Sequence, residues 1–148
     1  FSFDGDAIGT YEIVAYETED DHSDNPNSAT RLEVEPLSPI FTEGYITPND
    51  VDSFVINAEP GKYYGIVVDT AVSVEEENIS TLDTVLKLYS MGTDSQVPVE
   101  LMENDDAQFF EGSYLVFSPE TQGDYLLEVE AFTSNDHGGY NIGVYEFY

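Results

Sequence analysis

The sequence predicts an all-β domain, either a sandwich or a barrel, because apolar and polar residues alternate along most of the chain. The alternating runs are about five or six residues long and recur about every 8–12 residues, as in sandwiches and barrels. The aromatic residues are 11 Tyr and 9 Phe, without Trp, and such rings favour strands because they pack well on pleated faces. Apolar residues at helical spacing are hard to find.

Six runs show the alternation most clearly. Their alternating residues, in chain order, are Tyr11, Ile13 and Ala15; Phe54 and Ile56; Tyr64, Ile66 and Val68; Leu86 and Leu88; Tyr125, Leu127, Val129 and Ala131; and Tyr140, Ile142 and Val144. Further short strands are predicted at 31–34, 41–46, 99–103 and 114–118. Turn-forming residues separate the runs at 59–62, 91–94 and 121–124. The segment 71–83 is the least strand-like, and we expect a helical turn there.

Charge is the most extreme feature of the composition. The 148 residues include 31 acidic and 3 basic residues, which gives a formal net charge of −28. A chain this acidic repels phosphate backbones and anionic lipids, so nucleic-acid binding is excluded as a function class. Its self-repulsion requires screening by salt or bound cations, which fits a saline or marine habitat. No apolar run approaches the roughly 18 residues of a membrane-spanning helix, so we expect no membrane insertion.

A dense acidic segment, residues 19–30, is the first candidate metal-binding segment. Its carboxylates repel one another unless a cation lies among them. Calcium accepts about six to eight oxygen ligands from carboxylates, amides and backbone carbonyls, and this segment offers all three. Pro26 stiffens the segment, and Asn27 and Ser28 can close a turn. The alternative interpretation is a flexible acidic linker.

Two further carboxylates, Asp50 and Asp52, come directly before an apolar run. In an extended chain they lie on the same side, with Val51 turned inward, and together they can chelate one cation. The alternative is a turn closed by an Asp side chain at the start of the strand. If the acidic segment folds over this pair, the two supply enough oxygens for one calcium ion.

A weaker second cluster consists of Asp83, Asn104, Asp105 and Asp106, which only the fold can bring together. Turn formation is the favoured interpretation of these residues. In that interpretation Asp83 caps a turn, and Asn104 and Asp105 form a hairpin turn.

The sequence offers little for catalysis. Its two histidines, His22 and His137, lie in loop-like stretches rich in Gly, Asn, Asp and Ser. There is no nucleophile-elbow spacing, no glycine-rich phosphate loop and no Cys for zinc or for a disulfide. We therefore expect no enzyme activity. A small hydrolase is the weaker alternative, and it needs a pocket that joins one His to a carboxylate and a Ser.

The abundance of Tyr indicates a ligand-binding alternative. Rings exposed in a row on one sheet face can stack on the sugars of a polysaccharide or pack against a fibrous protein. The candidate residues for this face are Tyr11, Tyr16, Tyr63 and Tyr145.

A weak internal repeat bears on the domain organisation, since residues 9–17 resemble residues 138–146. Two strands of one sheet can converge on such a pattern by alternation alone. Alternatively, the first residues are the last strand of a preceding copy in a tandem array. We therefore divide the chain into an N-terminal strand or linker, 1–19, and a β-sandwich domain, 20–148. Because the first residue is Phe, we expect a mature fragment or an excised module.

Seven stretches resemble, in order, those of the bacterial pre-peptidase C-terminal domain, which is related to the collagen-binding domains of bacterial collagenases. They are 25–30, 44–46 leading to 50–54, 60–64, 82–89, 104–107, 123–129 and 138–142. The resemblance implies a jelly-roll-like antiparallel β-sandwich without catalytic activity. It also implies a calcium site where the N-terminal linker meets the sheet.

Carried onto this chain, the implied calcium ligands are Asp21, Asp24, Asn25, Asn27, Asp50 and Asp52. Family members prefer Glu at the position before Pro26, where this chain has Asn25. We therefore expect a calcium-binding accessory module of a larger secreted or cell-surface protein, from a halophilic or marine bacterium. Its partners would be calcium ions, neighbouring domains of the same polypeptide and, in the alternative, an extracellular polysaccharide or fibrous protein.

Overall fold

The structure is a computed structural model that describes residues 20–70, 82–91, 97–105 and 112–148. Within these ranges the chain forms one 3-10 helix and ten strands. The helix is Pro26–Ser28, and the strands are β1 (Thr30–Arg31), β2 (Val34–Pro36), β3 (Ile40–Ile46), β4 (Val51–Ala58), β5 (Tyr63–Asp69), β6 (Thr84–Ser90), β7 (Val99–Asn104), β8 (Ser113–Phe117), β9 (Gly123–Ala131) and β10 (Gly138–Phe147).

The described strands form two separate sheets, so the architecture is the predicted sandwich and the barrel alternative is wrong. The first sheet has the order β1-β4-β9-β6-β7, and the second has β2-β10-β5-β8, with β3 also paired to β10. Most neighbours are antiparallel, as predicted. The exceptions are two short parallel pairs, β1 with β4 and β2 with β10.

The parallel pairs arise where the chain crosses from one sheet to the other. The sequence predicted a single strand at 31–34 in this region, and that prediction is wrong. Two short strands replace it, one at the edge of each sheet. Between them the side chain of Leu32 is buried in the core, and its N–H donates to the carbonyl of Val55 at 3.0 Å. The strand is therefore interrupted at the crossing, where the side chain of Leu32 is buried in the core.

The core lies between the sheets and confirms the predicted alternation in the described strands. Buried residues of β5, β6, β9 and β10 follow period two, and their side chains meet in one cluster. The ring of Phe117 lies 5.5 Å from that of Tyr64 and 5.3 Å from that of Tyr125, which ties the two sheets together. The predicted strand at 9–17, its repeat relationship and most of the predicted helical turn at 71–83 lie outside the described residues.

The three basic side chains of the chain all form ion pairs between distant elements. Arg31 pairs with Asp124 at 2.9 Å, Lys62 with Glu146 at 3.0 Å, and Lys87 with Glu130 at 2.6 Å. The remaining carboxylates of this chain therefore have no other Lys or Arg to neutralise them. Within the described ranges, no helix is long and apolar enough to cross a membrane.

Candidate metal centre

Four carboxylates meet where the acidic segment passes the start of β4. They belong to Asp20, Asp21, Asp50 and Asp52, and one oxygen from each lies within 4.8 Å of the others. We call these residues the four-aspartate cluster. Two of them precede the 3-10 helix and two lie at the entrance of β4, so the cluster joins residues far apart in the sequence. Three of its members are among the six predicted ligands.

The acidic segment is fixed along the edge of β4 by backbone contacts. The N–H of Ser53 donates to the carbonyl of Ser23 at 3.1 Å, and the hydroxyl of Ser53 donates to the carbonyl of Asp24 at 3.3 Å. A third contact reaches β3, where the N–H of Tyr45 donates to Oδ2 of Asp21 at 2.8 Å. These bonds hold the segment against both sheets and bring its carboxylates to Asp50 and Asp52.

His22 anchors the same segment with both ring nitrogens. Nε2 donates to the carbonyl of Glu43 at 2.9 Å, because a carbonyl can only accept. In the neutral ring, Nδ1 then accepts from the hydroxyl of Thr30, also at 2.9 Å. The ring centroid lies 4.6 Å from that of Phe54, so the imidazole also packs on the core. His22 is thus a structural anchor, and this use of both nitrogens argues against a role in hydrolysis.

Asp50 closes a turn before β4, as one of the two interpretations of the sequence predicted. Its Oδ2 accepts from the N–H of Thr47 at 2.9 Å and from the Thr47 hydroxyl at 3.2 Å. Asn49 has a φ of 64°, in the left-handed region that Asn tolerates better than most residues. The turn positions the Asp50 carboxylate at the cluster, so turn formation and membership of the cluster are compatible.

Asp52 points into the sandwich, and the prediction that Val51 would turn inward is wrong. Asp52 is fully buried on the same face of β4 as Phe54, whereas Val51 is half-buried on the other face. The hydroxyl of Tyr140 donates to Oδ2 of Asp52. Its Oδ1 is buried and has no hydrogen-bond partner among the described residues. A buried carboxylate oxygen without a partner is costly unless a proton or a cation satisfies it.

The electrostatics of the cluster follow from this burial. Burial, together with the charges of Asp21 and Asp50, raises the pKa of Asp52 to about 8, and the hydrogen bond from Tyr140 opposes this shift. The pKa of Asp20 is also raised, first by loss of solvation and then by the charges of Asp50 and Asp21. Neighbouring negative charges that raise the pKa values of Asp20 and Asp52 form a site at which a cation is favoured.

The other predicted ligands lie beside the four-aspartate cluster and outside it. Oδ1 of Asp24 accepts from the N–H of Val51 at 3.4 Å. Asn25 caps the 3-10 helix, and its Oδ1 accepts from the N–H of Asn27 at 2.9 Å. Asp20 was not among the predicted ligands, although it stands next to Asp21 in the acidic run.

The weaker cluster is only partly described, since Asp106 lies outside the described residues. The backbone of Asp83 joins the loop after β9, because its carbonyl accepts from the N–H of Phe132 at 2.8 Å. The side-chain amide of Asn104 donates to the carbonyl of Tyr114 at 2.7 Å. Among the described residues, Asp83 and Asp105 belong to no group of three or more acidic or His side chains that could share an ion.

Two of the predicted ligand-binding tyrosines lie on the outer face of the second sheet. Tyr63 is 49% exposed, and its ring lies 5.8 Å from that of Phe147 in a stacked arrangement. Phe147 in turn stacks with Tyr145 at 5.6 Å. Tyr11 and Tyr16 lie outside the described residues.

Comparison with solved structures places this architecture among known folds. The pre-peptidase C-terminal domain of collagenase from Bacillus anthracis is 16% identical, with a TM-score of 0.57 over 82% of this chain and 99% of that one. PliG from Aeromonas hydrophila, a periplasmic lysozyme inhibitor of g-type lysozyme, is 13% identical, with a TM-score of 0.53 over 80% of this chain and 100% of that one. No family model and no curated protein matches the sequence. At these identities the likeness shows the fold, and the resemblance suggested by the sequence is confirmed at that level.

Proposed function

We propose that this chain is a non-catalytic, calcium-binding accessory β-sandwich module of a larger secreted or cell-surface bacterial protein. The observation that carries the proposal is the buried Oδ1 of Asp52, which has no partner in the described part of the chain and belongs to a cluster of four carboxylates. An acidic cluster alone is common on protein surfaces. A fully buried carboxylate oxygen that lacks a donor is satisfied by a proton or by a cation, and the carboxylates around it attract a cation.

Calcium fits the donor set better than other common ions. The cluster supplies carboxylate oxygens, which are the hard ligands that calcium and magnesium prefer. Magnesium requires a near-ideal octahedron at short distances, whereas calcium tolerates an irregular set of oxygens. Zinc and copper favour imidazole or thiolate, and here both nitrogens of His22 are engaged elsewhere.

The position of the cluster indicates what a bound ion would do. Asp20 and Asp21 begin the described domain, and Asp50 and Asp52 open a central strand pair of the first sheet. An ion shared by both pairs would hold the segment that contains Asp20 and Asp21 against the sandwich. It would thereby set the direction of any preceding domain. Calcium would thereby stabilise a linker and set the geometry between neighbouring domains.

Thermal melting tests the proposal at fixed ionic strength, with EDTA or with excess calcium. An ion that binds only the folded state adds about 2.7 kcal/mol of stability at a hundredfold excess over its Kd. We expect a higher melting temperature with calcium, and no such rise in the Asp21→Asn, Asp50→Asn double variant. Identical melting of the wild-type protein in EDTA and in calcium would contradict the proposal.

The proposed location and the absence of catalysis draw support from the structural neighbours. One is a domain of a collagenase and the other is a periplasmic inhibitor, which is consistent with a non-catalytic domain that works outside the cytoplasm. The high negative charge fits a saline environment, in which salt screens the repulsion between carboxylates.

A second candidate function is binding of a polysaccharide or a fibrous protein through the outer face of the second sheet. It is favoured by the near-parallel row of Tyr63, Phe147 and Tyr145, since such rings offer flat apolar surfaces next to hydroxyl groups. Co-sedimentation with insoluble polysaccharides and with collagen fibres tests it. No retention on any of these materials would contradict it.

A further inference from the structure

Four aromatic residues form a connected surface on the outside of the second sheet. They are Tyr63 of β5, Tyr114 of β8, and Tyr145 and Phe147 of β10, and we call this surface the aromatic face. Tyr63, Phe147 and Tyr145 stack in sequence, with ring planes 25° and 30° apart. The hydroxyls of Tyr145 and Tyr114 are hydrogen-bonded at 2.7 Å. The aromatic face therefore crosses three adjacent strands without interruption.

A glycine sets the orientation of the central ring. Gly65 of β5 is paired with Tyr145, and the Tyr145 ring occupies the space where a Cβ of residue 65 would stand. The ring therefore lies across β5 and presents its opposite side outward. The backbone at Gly65 thus makes room for a ring to lie on the sheet, and rings in this orientation suit stacking on a ligand.

The strands that carry the aromatic face have few acidic residues on their outer side. On the outer side of β5, β8 and β10 the one acidic residue is Asp69, at the end of β5 opposite to Tyr63. On the first sheet, by contrast, Asp124, Glu128 and Glu130 of β9 all face outward. The three strands that carry the aromatic face thus present fewer outward carboxylates than β9 does, which favours an uncharged partner.

Hydrogen-bonding groups lie at the margins of the rings. The paired hydroxyls of Tyr114 and Tyr145 share one hydrogen, so one O–H remains to donate outward. Glu35 of β2 is paired with Tyr145 and brings a carboxylate acceptor to the same side. Flat apolar rings bordered by a hydroxyl donor and a carboxylate acceptor match a sugar, which has apolar C–H faces and a rim of hydroxyls.

We propose that the aromatic face binds a neutral polysaccharide, with successive sugar rings stacked on Tyr63, Phe147 and Tyr145. This inference rests on the second candidate function and specifies its ligand class and its binding residues. It is independent of the calcium site.

The test is affinity electrophoresis and calorimetry with three neutral polymers: hydroxyethyl cellulose, soluble starch and glycol chitin. Carboxymethyl cellulose serves as the anionic counterpart, and collagen as the fibrous protein. The variants are Tyr63→Ala and Phe147→Ala. The control is Phe132→Ala, because Phe132 is a similarly exposed ring, 58% accessible, in the loop after β9. Thermal melting confirms that each variant is folded.

We expect the wild-type protein to bind at least one neutral polymer more tightly than carboxymethyl cellulose. Both face variants should weaken that binding at least tenfold, and Phe132→Ala should leave it unchanged. Equal loss in all three variants, or none in the face variants, would overturn the assignment of the surface. Binding to collagen alone would overturn the polysaccharide while leaving the second candidate function intact. Binding to none of these polymers would overturn both.

Discussion

The hydroxyl of Tyr140, on β10 of the second sheet, donates a hydrogen bond to Oδ2 of Asp52, on β4 of the first sheet. The bond links the two sheets at the four-aspartate cluster. Gly44 of β3 makes it possible, because the Tyr140 ring occupies the space that a Cβ at residue 44 would need. The second oxygen of Asp52 is left without a donor among the described residues, so this buried carboxylate requires either a proton or a cation.

Without calcium, the domain should lose stability as the pH rises from about 5 to 8. Burial raises the pKa of Asp52 to about 8 in the folded state, whereas an unfolded Asp titrates near about 3.9. Between these values the folded state holds a proton that the unfolded state lacks, so the free energy of unfolding falls as pH increases. Melting temperatures measured in EDTA should therefore be higher at pH 5 than at pH 8.

The control for this pH dependence is Asp52→Asn, which keeps the shape of the side chain and removes its titration. An unperturbed carboxylate titrates near about 4, so the slope between pH 5 and 8 should flatten once the Asp52 carboxyl is replaced. Excess calcium should flatten it in the wild-type protein, because the ion takes the place of the proton. An equally steep slope in Asp52→Asn would show that another group is responsible.

Replacing Tyr140 by Phe should destabilise the calcium-free protein. The change removes the hydrogen bond from Tyr140 to Oδ2 of Asp52, whose Oδ1 already has no partner among the described residues. Such a loss costs about 1–3 kcal/mol, measured as the free energy of unfolding in urea. Above pH 8, where Asp52 is ionised, the same change should cost less in the Asp52→Asn background, because the amide carries no charge. Equal costs in the two backgrounds would mean that the Tyr140 hydroxyl does not act through the charge of Asp52.

Calcium affinity should depend on the four-aspartate cluster and not on the two asparagines of the 3-10 helix. Asp20→Asn and Asp50→Asn should each weaken binding at least about tenfold in calorimetry, or ~1.4 kcal/mol. Asn27→Ala should leave the Kd nearly unchanged, because Asn27 is exposed on the 3-10 helix and carries no carboxylate. Glu120→Gln, in an exposed turn, controls for the loss of one negative charge. A large effect of Asn27→Ala would restore it as a ligand.

His22→Ala should lower calcium affinity although His22 is not a proposed ligand. The variant loses the hydrogen bonds to Thr30 and Glu43 and the ring contact with Phe54, which together hold the acidic segment in place. Ordering the segment would then cost part of the binding free energy. Calorimetry should show a weaker Kd with unchanged stoichiometry. An unaltered Kd would mean that the segment is positioned without the imidazole.

The sequence predicted the strands well because period-two alternation is a local property. Such a pattern requires only that one side of a strand faces the core, and it is visible within a few residues. Examples are Leu86 with Leu88, and Tyr64 with Ile66 and Val68. The crossing at Leu32 was missed, since nothing local distinguishes one strand of four residues from two shorter strands in different sheets. That choice depends on where β4 and β10 lie.

The site was predictable only in part, because it also depends on contacts between segments that are distant in the sequence. The density of carboxylates in residues 19–30 and the pair at 50 and 52 indicated which segments would meet. Whether Asp52 or Val51 faces inward depends on the register of β4 against β9 and on the space that Gly44 leaves for Tyr140. The burial of Asp52, which gives the cluster its chemistry, is therefore a property of the tertiary structure.

The most direct measurement is anomalous X-ray diffraction from crystals grown with calcium. We expect one strong peak among Asp20, Asp21, Asp50 and Asp52, with Oδ1 of Asp52 at a calcium–oxygen distance of about 2.3–2.6 Å. Data that show no calcium among these carboxylates, with Oδ1 of Asp52 instead bound to a protein donor, would contradict the account.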